Sequence, residues 1–280
     1  MSKKLKKNFK VNFLMNVAGG IQVKKLNKAA KNCEKAQDAT LRAILEYAKD
    51  TEWGKAHNYA EILTAKTPAE LQQKWEANVP ACQYEDIRPL VERHKNGEEN
   101  LLFPGKPMMY ATTSGTTKEP KWIPITNEYY QNIYSKMSKV WLWTFIHHRP
   151  KVFGGMCTSI VGKSVEGAAP DGTVYGSVSG VTRRDCPDFI HNLYNEPDEI
   201  YSIADYKARY YCIMRTGIEN DTTLLVTANP STIVEMQNNV NEFYDDYVKD
   251  IENGTLNANL KLEPEIRKVL EARYKPNPER

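Results

Sequence analysis

The sequence predicts an α/β fold in which mixed sheets are flanked by helices. Two observations carry that expectation: segments of helical periodicity alternate with short apolar strands, and Pro107–Thr112 and Trp122–Thr126 bracket a Ser/Thr-rich run as strand, loop and strand. With 280 residues the chain can form one large domain or two modest ones. Its 41% hydrophobic and 26% charged content is that of an ordinary globular protein, and no internal repeat or low-complexity linker interrupts it.

Taken in order, Asn32–Asp50 places Ala36, Leu41, Ile44, Leu45 and Ala48 at helical spacing, and Thr51-Glu-Trp-Gly54 breaks the pattern. Thr67-Pro-Ala-Glu70 reads as a capping box with proline at the first helical position, opening a helix through Trp75. Val79–Tyr84 is extended, and Tyr84–Lys95 is helical up to Asn96-Gly97. Asn127–His148 is one long helix whose aromatic stripe (Tyr129, Tyr130, Tyr134, Trp141, Trp143, Phe145) is expected in the core. Lys151–Val161 is a strand, Gly162–Gly180 a glycine-rich stretch that reads equally as a segment approaching a ligand or as a plain turn cluster, and Pro197 opens a helix to about Arg215. Thr222–Thr227 reads as a buried strand, and Asn229-Pro230-Ser231 opens a helix reaching Asp250, closed by Asn253-Gly254.

The Ser/Thr run is Thr113-Ser114-Gly115-Thr116-Thr117, followed by Lys121. Gly115 permits a sharp turn and close approach to a ligand. Successive backbone N–H groups in such a turn form an anion-binding nest, and the hydroxyls add donors. The P-loop pattern, glycine-rich and opening a helix, is not what the sequence has; this loop runs between strands, and Pro124 suits an edge strand. The alternative is a hydroxyl-rich hairpin turn with no ligand. Lys121 likewise has two readings, a cation that neutralises phosphate charge or a solvated flank.

Charge is unevenly distributed. Residues 1–35 carry ten lysines and one glutamate, so the remainder is net acidic although the whole is +3. A basic start can serve a membrane or a nucleic acid, but the preferred reading is a solvated helix face, with neither partner. Val11–Ile21 fails as a signal peptide because Asn12 and Asn16 interrupt it, and no 18-residue apolar run is present. The five cysteines are scattered without a C-x-x-C pair, which predicts reduced thiols, a cytoplasmic setting and no zinc site. His147-His148 is the sole histidine cluster, and adjacent helical residues diverge, so no metal ligand set is expected.

The string T-S-G-T-T-x-x-P-K at Thr113–Lys121 resembles the phosphate-binding signature of adenylate-forming enzymes. Further pieces follow in order: Thr51–Gly54, Val79-Pro80 with Tyr84–Pro89, Gly97–Pro104, Tyr175–Gly180, Thr227–Ser231, Asp250–Thr255 and Lys275–Arg280. Together they resemble the auxin-responsive acyl-acid amido synthetases. The resemblance implies the N-terminal portion of an adenylate-forming large domain. It also implies ATP-dependent activation of a small carboxylic acid as an acyl-adenylate, with Mg²⁺, then capture by an amino acid as an amide. On this basis Thr113, Ser114, Gly115, Thr116, Thr117 and Lys121 are the expected ATP-binding residues. Thr126, Tyr130 and Tyr134, which follow the second strand, are expected near the acid; no catalytic residue is assigned.

Two departures from the family pattern stand out. Lys118 occupies a position where related loops often carry glycine. The tyrosine–acid motif on the adenine side, the later ribose-binding aspartate and the C-terminal domain of the family are absent from residues 1–280. These residues are therefore expected to form an incomplete N-terminal domain of an acyl-adenylating ligase, inactive alone and lacking the C-terminal part as partner. The alternatives are a non-catalytic nucleotide- or acid-binding remnant and an acyl-CoA-forming relative.

Overall fold

A computed structural model describes residues 3–112 and 119–280. In chain order the first helices are α1 (Lys3–Ala30), α2 (Cys33–Ala48), α3 (Glu52–Ala56), α4 (Tyr59–Ile62), α5 (Pro68–Asn78) and α6 (Tyr84–Lys95). Strands β1 (Met109–Thr112) and β2 (Trp122–Ile125) follow, then α7 (Asn127–Tyr129), a π turn (Tyr130–Tyr134) and α8 (Ser135–His148). Next come β3 (Met156–Ile160), β4 (Gly167–Ala168), β5 (Val174–Gly176), α9 (Val178–Arg184) and α10 (Asp188–His191). A 3₁₀ turn (Asp198–Ser202) precedes α11 (Tyr206–Glu219), β6 (Thr222–Thr227), α12 (Ser231–Glu242), α13 (Tyr244–Asn253) and α14 (Pro264–Arg273). The fold is mixed α/β, with helices flanking small sheets, as the alternation of patterns predicts.

The chain divides into two compact units. One is Val17–Trp141 with Val165–Gly176; the other is Met1–Asn16, Leu142–Ser164 and Ser177–Arg280. The first holds a four-stranded sheet in the order β2-β1-β5-β4, with β1 antiparallel to β2 and parallel to β5. Its helical core comprises Leu45, Ala48, Tyr59, Ile62, Ala65 and Leu71. The capping residues act as their sequence positions require. Thr67 accepts from the Glu70 N–H at 3.2 Å, while the Glu70 carboxylate takes the Lys66 N–H at 2.8 Å. Thr51, expected at a helix break, caps α3 by accepting from Gly54 at 3.0 Å. A Cβ on Gly54 would lie 2.0 Å from the Ala48 carbonyl oxygen, so the T-x-W-G element lets one helix end lie against the next.

The second unit is built on a two-stranded parallel sheet, β3 with β6, beside a core of Ile200, Ile203, Tyr211, Cys212, Ile213, Tyr247 and Leu270. Arg215 is fully buried: it donates to the Asp250 and Thr255 carbonyls at 2.9 Å each and lies 3.5 Å from the Tyr274 ring centroid. The Asp250 side chain accepts from Tyr211 at 2.6 Å, Thr255 at 2.7 Å and the Asn257 N–H at 2.6 Å. Gly254 ends α13 at φ +69°, and a Cβ there would lie 2.4 Å from the Pro276 nitrogen. Asp250–Thr255 and Lys275–Arg280 thus have an architectural role in binding the last segment to this core.

Several expectations are corrected. The Lys151–Val161 strand shortens to Met156–Ile160, and the glycine-rich stretch contains β4 and β5. The helix expected from Pro197 is a 3₁₀ turn, and α11 starts only where Asp205 accepts from the Ala208 N–H at 2.9 Å. The helix from Ser231 breaks at Phe243, whose backbone (φ −109°, ψ 23°) leaves the helical region. β6 is not buried: it has a single strand partner, its residues alternate in exposure, and Leu225 is 41% exposed. The aromatic stripe is also not core. Ile146 is the one buried residue of α8, and Tyr129 and Trp141 are 40% and 51% exposed. Among the described residues no helix is long and apolar enough to cross a membrane.

Candidate functional site

The site expected from the sequence lies in the first unit, where the β1–β2 hairpin carries the Ser/Thr run at its tip. The register pairs Met109 with Ile125, Tyr110 with Pro124 and Thr112 with Trp122. β2 is an edge strand, which is where Pro124, lacking an N–H, is tolerated. Thr113, Ser114, Gly115, Thr116 and Thr117 lie outside the described residues. The hairpin base does not: Thr112 and Trp122 face each other, and the run joins them.

Trp122 is caged. The Lys95 ammonium sits 4.1 Å from its ring centroid, the Tyr175 ring at 4.6 Å and the Tyr110 ring, edge-on, at 5.6 Å. The Tyr84 hydroxyl accepts from the Trp122 N–H at 2.8 Å and donates to the Trp122 carbonyl at 3.2 Å. Burial raises the Tyr84 phenol above its ordinary range, so it remains a donor. Lys121 is exposed and holds its ammonium 5.5 Å from the Tyr84 centroid.

Beyond β2, Thr126 caps α7, accepting from the Tyr129 N–H at 3.1 Å. The helix then widens into the π turn, which coincides with Tyr130–Tyr134. π turns within α-helices are uncommon and concentrate at functional sites. None of its residues is buried, and the Tyr130 and Tyr134 rings stack at 5.5 Å between centroids with 15° between planes. Thr126, Tyr130 and Tyr134 therefore lie together after the hairpin, at the surface of this unit rather than in its core. Sequence reasoning assigned no role to Tyr84, Lys95 or Tyr175. The Tyr84–Pro89 string was the available signal, but the partner of Tyr84 is 38 residues away.

The fold and the hairpin define a class. A model of the GH3 family N-terminal domain matches residues 22–280, and the chain belongs to that family. It is similar to the indole-3-acetic acid-amido synthetase GH3.10 of Arabidopsis thaliana, 25% identical over 263 residues, 89% of this chain and 43% of the relative. The jasmonoyl–L-amino acid synthetase JAR4 of Nicotiana attenuata is 22% identical over 264 residues, again 89% of this chain and 43% of the relative. The solved structure of the GH3.15 acyl acid amido synthetase matches with a TM-score of 0.73 at 22% identity, over 91% of this chain and 45% of that one. The chain thus spans less than half the length of the relatives it matches.

Proposed function

We propose that the protein takes part in ATP-dependent activation of a small carboxylic acid as its acyl-adenylate, followed by amide formation with an amino acid. Family membership supports the reaction class, and the named relatives are amido synthetases. The observation that carries the site is the joining, in one unit, of the β1–β2 hairpin bearing the Ser/Thr run to a π turn of stacked tyrosines. On this reading Thr113–Thr117 supply backbone and hydroxyl donors to the ATP phosphates, and Lys121 adds a cation. Mg²⁺ arrives with the phosphates; no residue is assigned to it.

The chemistry explains the need for such donors. A carboxylate is a poor acylating agent because it must expel oxide, whereas AMP is a good leaving group. The carboxylate oxygen attacks the α-phosphorus, the bond to the bridging oxygen breaks, and pyrophosphate departs with the electron pair. Fixed donors stabilise the charge that develops on the phosphate oxygens. The amine of the amino acid then attacks the acyl carbon and AMP leaves. On this reading Thr126, Tyr130 and Tyr134 receive the acid, the rings against its apolar body and the hydroxyls toward its carboxylate.

Kinetics on the native protein test the acid site. Tyr130→Phe and Tyr134→Phe keep the ring and remove the hydroxyl. At least one is expected to raise the apparent KM for the acid by about tenfold, the worth of one hydrogen bond, and to leave that for ATP within twofold. Unchanged acid kinetics in both variants, with altered thermal stability, would show that the pair is structural.

A further inference from the structure

We propose that helix α6 is a clamp that positions Lys121 and the return limb of the hairpin loop, with Tyr84 as the positioning residue. The inference rests on the reading that this loop binds ATP and adds to it the device that holds the limb in place.

The argument starts from the edge strand. Ile125 turns its carbonyl toward β1, where it accepts from the Met108 N–H at 2.9 Å. Strand alternation then turns the backbone groups of Trp122 and Pro124 away from β1, to the open side of the sheet. Pro124 has no donor to offer there. Trp122 has both a donor and an acceptor, and the Tyr84 hydroxyl serves both, at 2.8 and 3.2 Å. One side chain thus does for this edge residue what a neighbouring strand would do, at the point where the chain re-enters the sheet from the loop.

Two more α6 residues act on the same limb. Arg88, one turn on, lies 4.8 Å from the Tyr84 ring centroid, is bonded to Glu85 at 2.6 Å and is 3.8 Å from the Glu119 carboxylate. Lys95, two turns further, covers the Trp122 ring at 4.1 Å. Tyr84, Arg88 and Lys95, with the fully buried Val91, occupy one helix face by their spacing. Glu119 therefore meets Arg88, Lys121 meets Tyr84, and Trp122 meets both Tyr84 and Lys95.

The helix itself is well anchored. Its start is closed by a capping box in which the Asp86 carboxylate accepts from the Gln83 N–H at 2.7 Å, and its end by Gly97 at φ +92°. The Tyr84 ring also carries Lys121 at 5.5 Å. A cation over an aromatic face at an exposed site gains a modest attraction, so the ring whose hydroxyl fixes the Trp122 backbone also steadies the Lys121 side chain.

Tyr84→Phe separates these functions, because the ring remains for Lys121 and Arg88 and only the bonds to Trp122 are lost. Amide hydrogen exchange at Trp122 in the 280-residue chain is expected to accelerate about tenfold, with the Ala111 amide unchanged. In acid-dependent ATP–pyrophosphate exchange by the native protein, the apparent KM for ATP is expected to rise about fivefold to tenfold. The acid KM should not move. Unaltered exchange at Trp122 would overturn the clamp. Faster exchange at Trp122 with an unaltered ATP KM would overturn its positioning role while leaving the nucleotide reading intact. A wild-type protein with no ATP-dependent exchange would instead remove the nucleotide reading, and the positioning role with it.

Discussion

Thr116→Ala and Thr117→Ala are each expected to lower acid-dependent ATP–pyrophosphate exchange by the native protein about 10²–10³-fold, the usual cost of removing one preplaced donor from a site of developing charge. Neither hydroxyl is needed to solvate the ground state, since water or Mg²⁺ serves ATP equally well before reaction. On the proposed mechanism their value would lie in donating where charge accumulates on the phosphate oxygens as pyrophosphate departs. Thermal unfolding should stay close to wild type, because the hairpin base is held by the Thr112–Trp122 pairing and by Tyr84. Wild-type exchange rates in both variants would remove the loop from the proposed mechanism.

Glu196→Gln is expected to stabilise the protein at pH 8 by about 2–3 kcal/mol and to leave it nearly unchanged below pH 5. Glu196 is 3% exposed, in the second unit. One carboxyl oxygen has no hydrogen-bond partner among the described residues, and the other lies 3.4 Å from the Ser159 N–H and 3.5 Å from the Tyr201 hydroxyl. Arg183 does not donate to the carboxylate: it gives one nitrogen to Asp198 and another, at 2.7 Å, to the Glu196 backbone carbonyl. Tyr194, Tyr201 and Cys157 also face this cluster, and His191 lies 3.3 Å from Asp198. Burial accordingly pushes the carboxyl from an ordinary 4.5 up to about 7.

The sign follows from the folded state's tighter hold on the proton. The stabilisation is complete below about pH 4.5, is lost as pH rises toward 7, and is level beyond. A shift of that size corresponds to about 3 kcal/mol. Glutamine remains neutral throughout and keeps the stability that wild type loses. Asp198, held low overall although burial opposes it, titrates on the acid side in both proteins and cancels from the comparison. Urea unfolding of wild type and variant at pH 5 and pH 8 measures the difference. Parallel pH dependence in the two would show that folding does not raise the Glu196 carboxyl above its ordinary value.

The proposed site was partly drawn from the sequence. The Ser/Thr string stood out because a nest needs small and hydroxyl-bearing residues in succession, and Thr126, Tyr130 and Tyr134 follow it closely in the chain. Tyr84 escaped because nothing local distinguishes a tyrosine at a helix start from one whose hydroxyl completes an edge strand. Glu196 escaped for the same reason: the burial that raises it comes from β3, α9 and the 3₁₀ turn together.

What the sequence determined by itself was whatever short-range rules govern. Thr67 and Asn32 accept from N–H groups three residues on, and Gly254 takes the left-handed turn that ends a helix. The α/β alternation and the edge position of Pro124 belong to the same class, since each follows from periodicity or from a missing donor. Tertiary structure alone decided the rest. It set the pairing of β4 with β5 inside a glycine-rich stretch and the exposure of β6 and of the aromatic stripe. It also set the cage around Trp122 and the neutral environment of Glu196. Each depends on which surfaces and polar groups distant segments bring together, and free energies of burial and desolvation are properties of that assembly, not of any local string of residues.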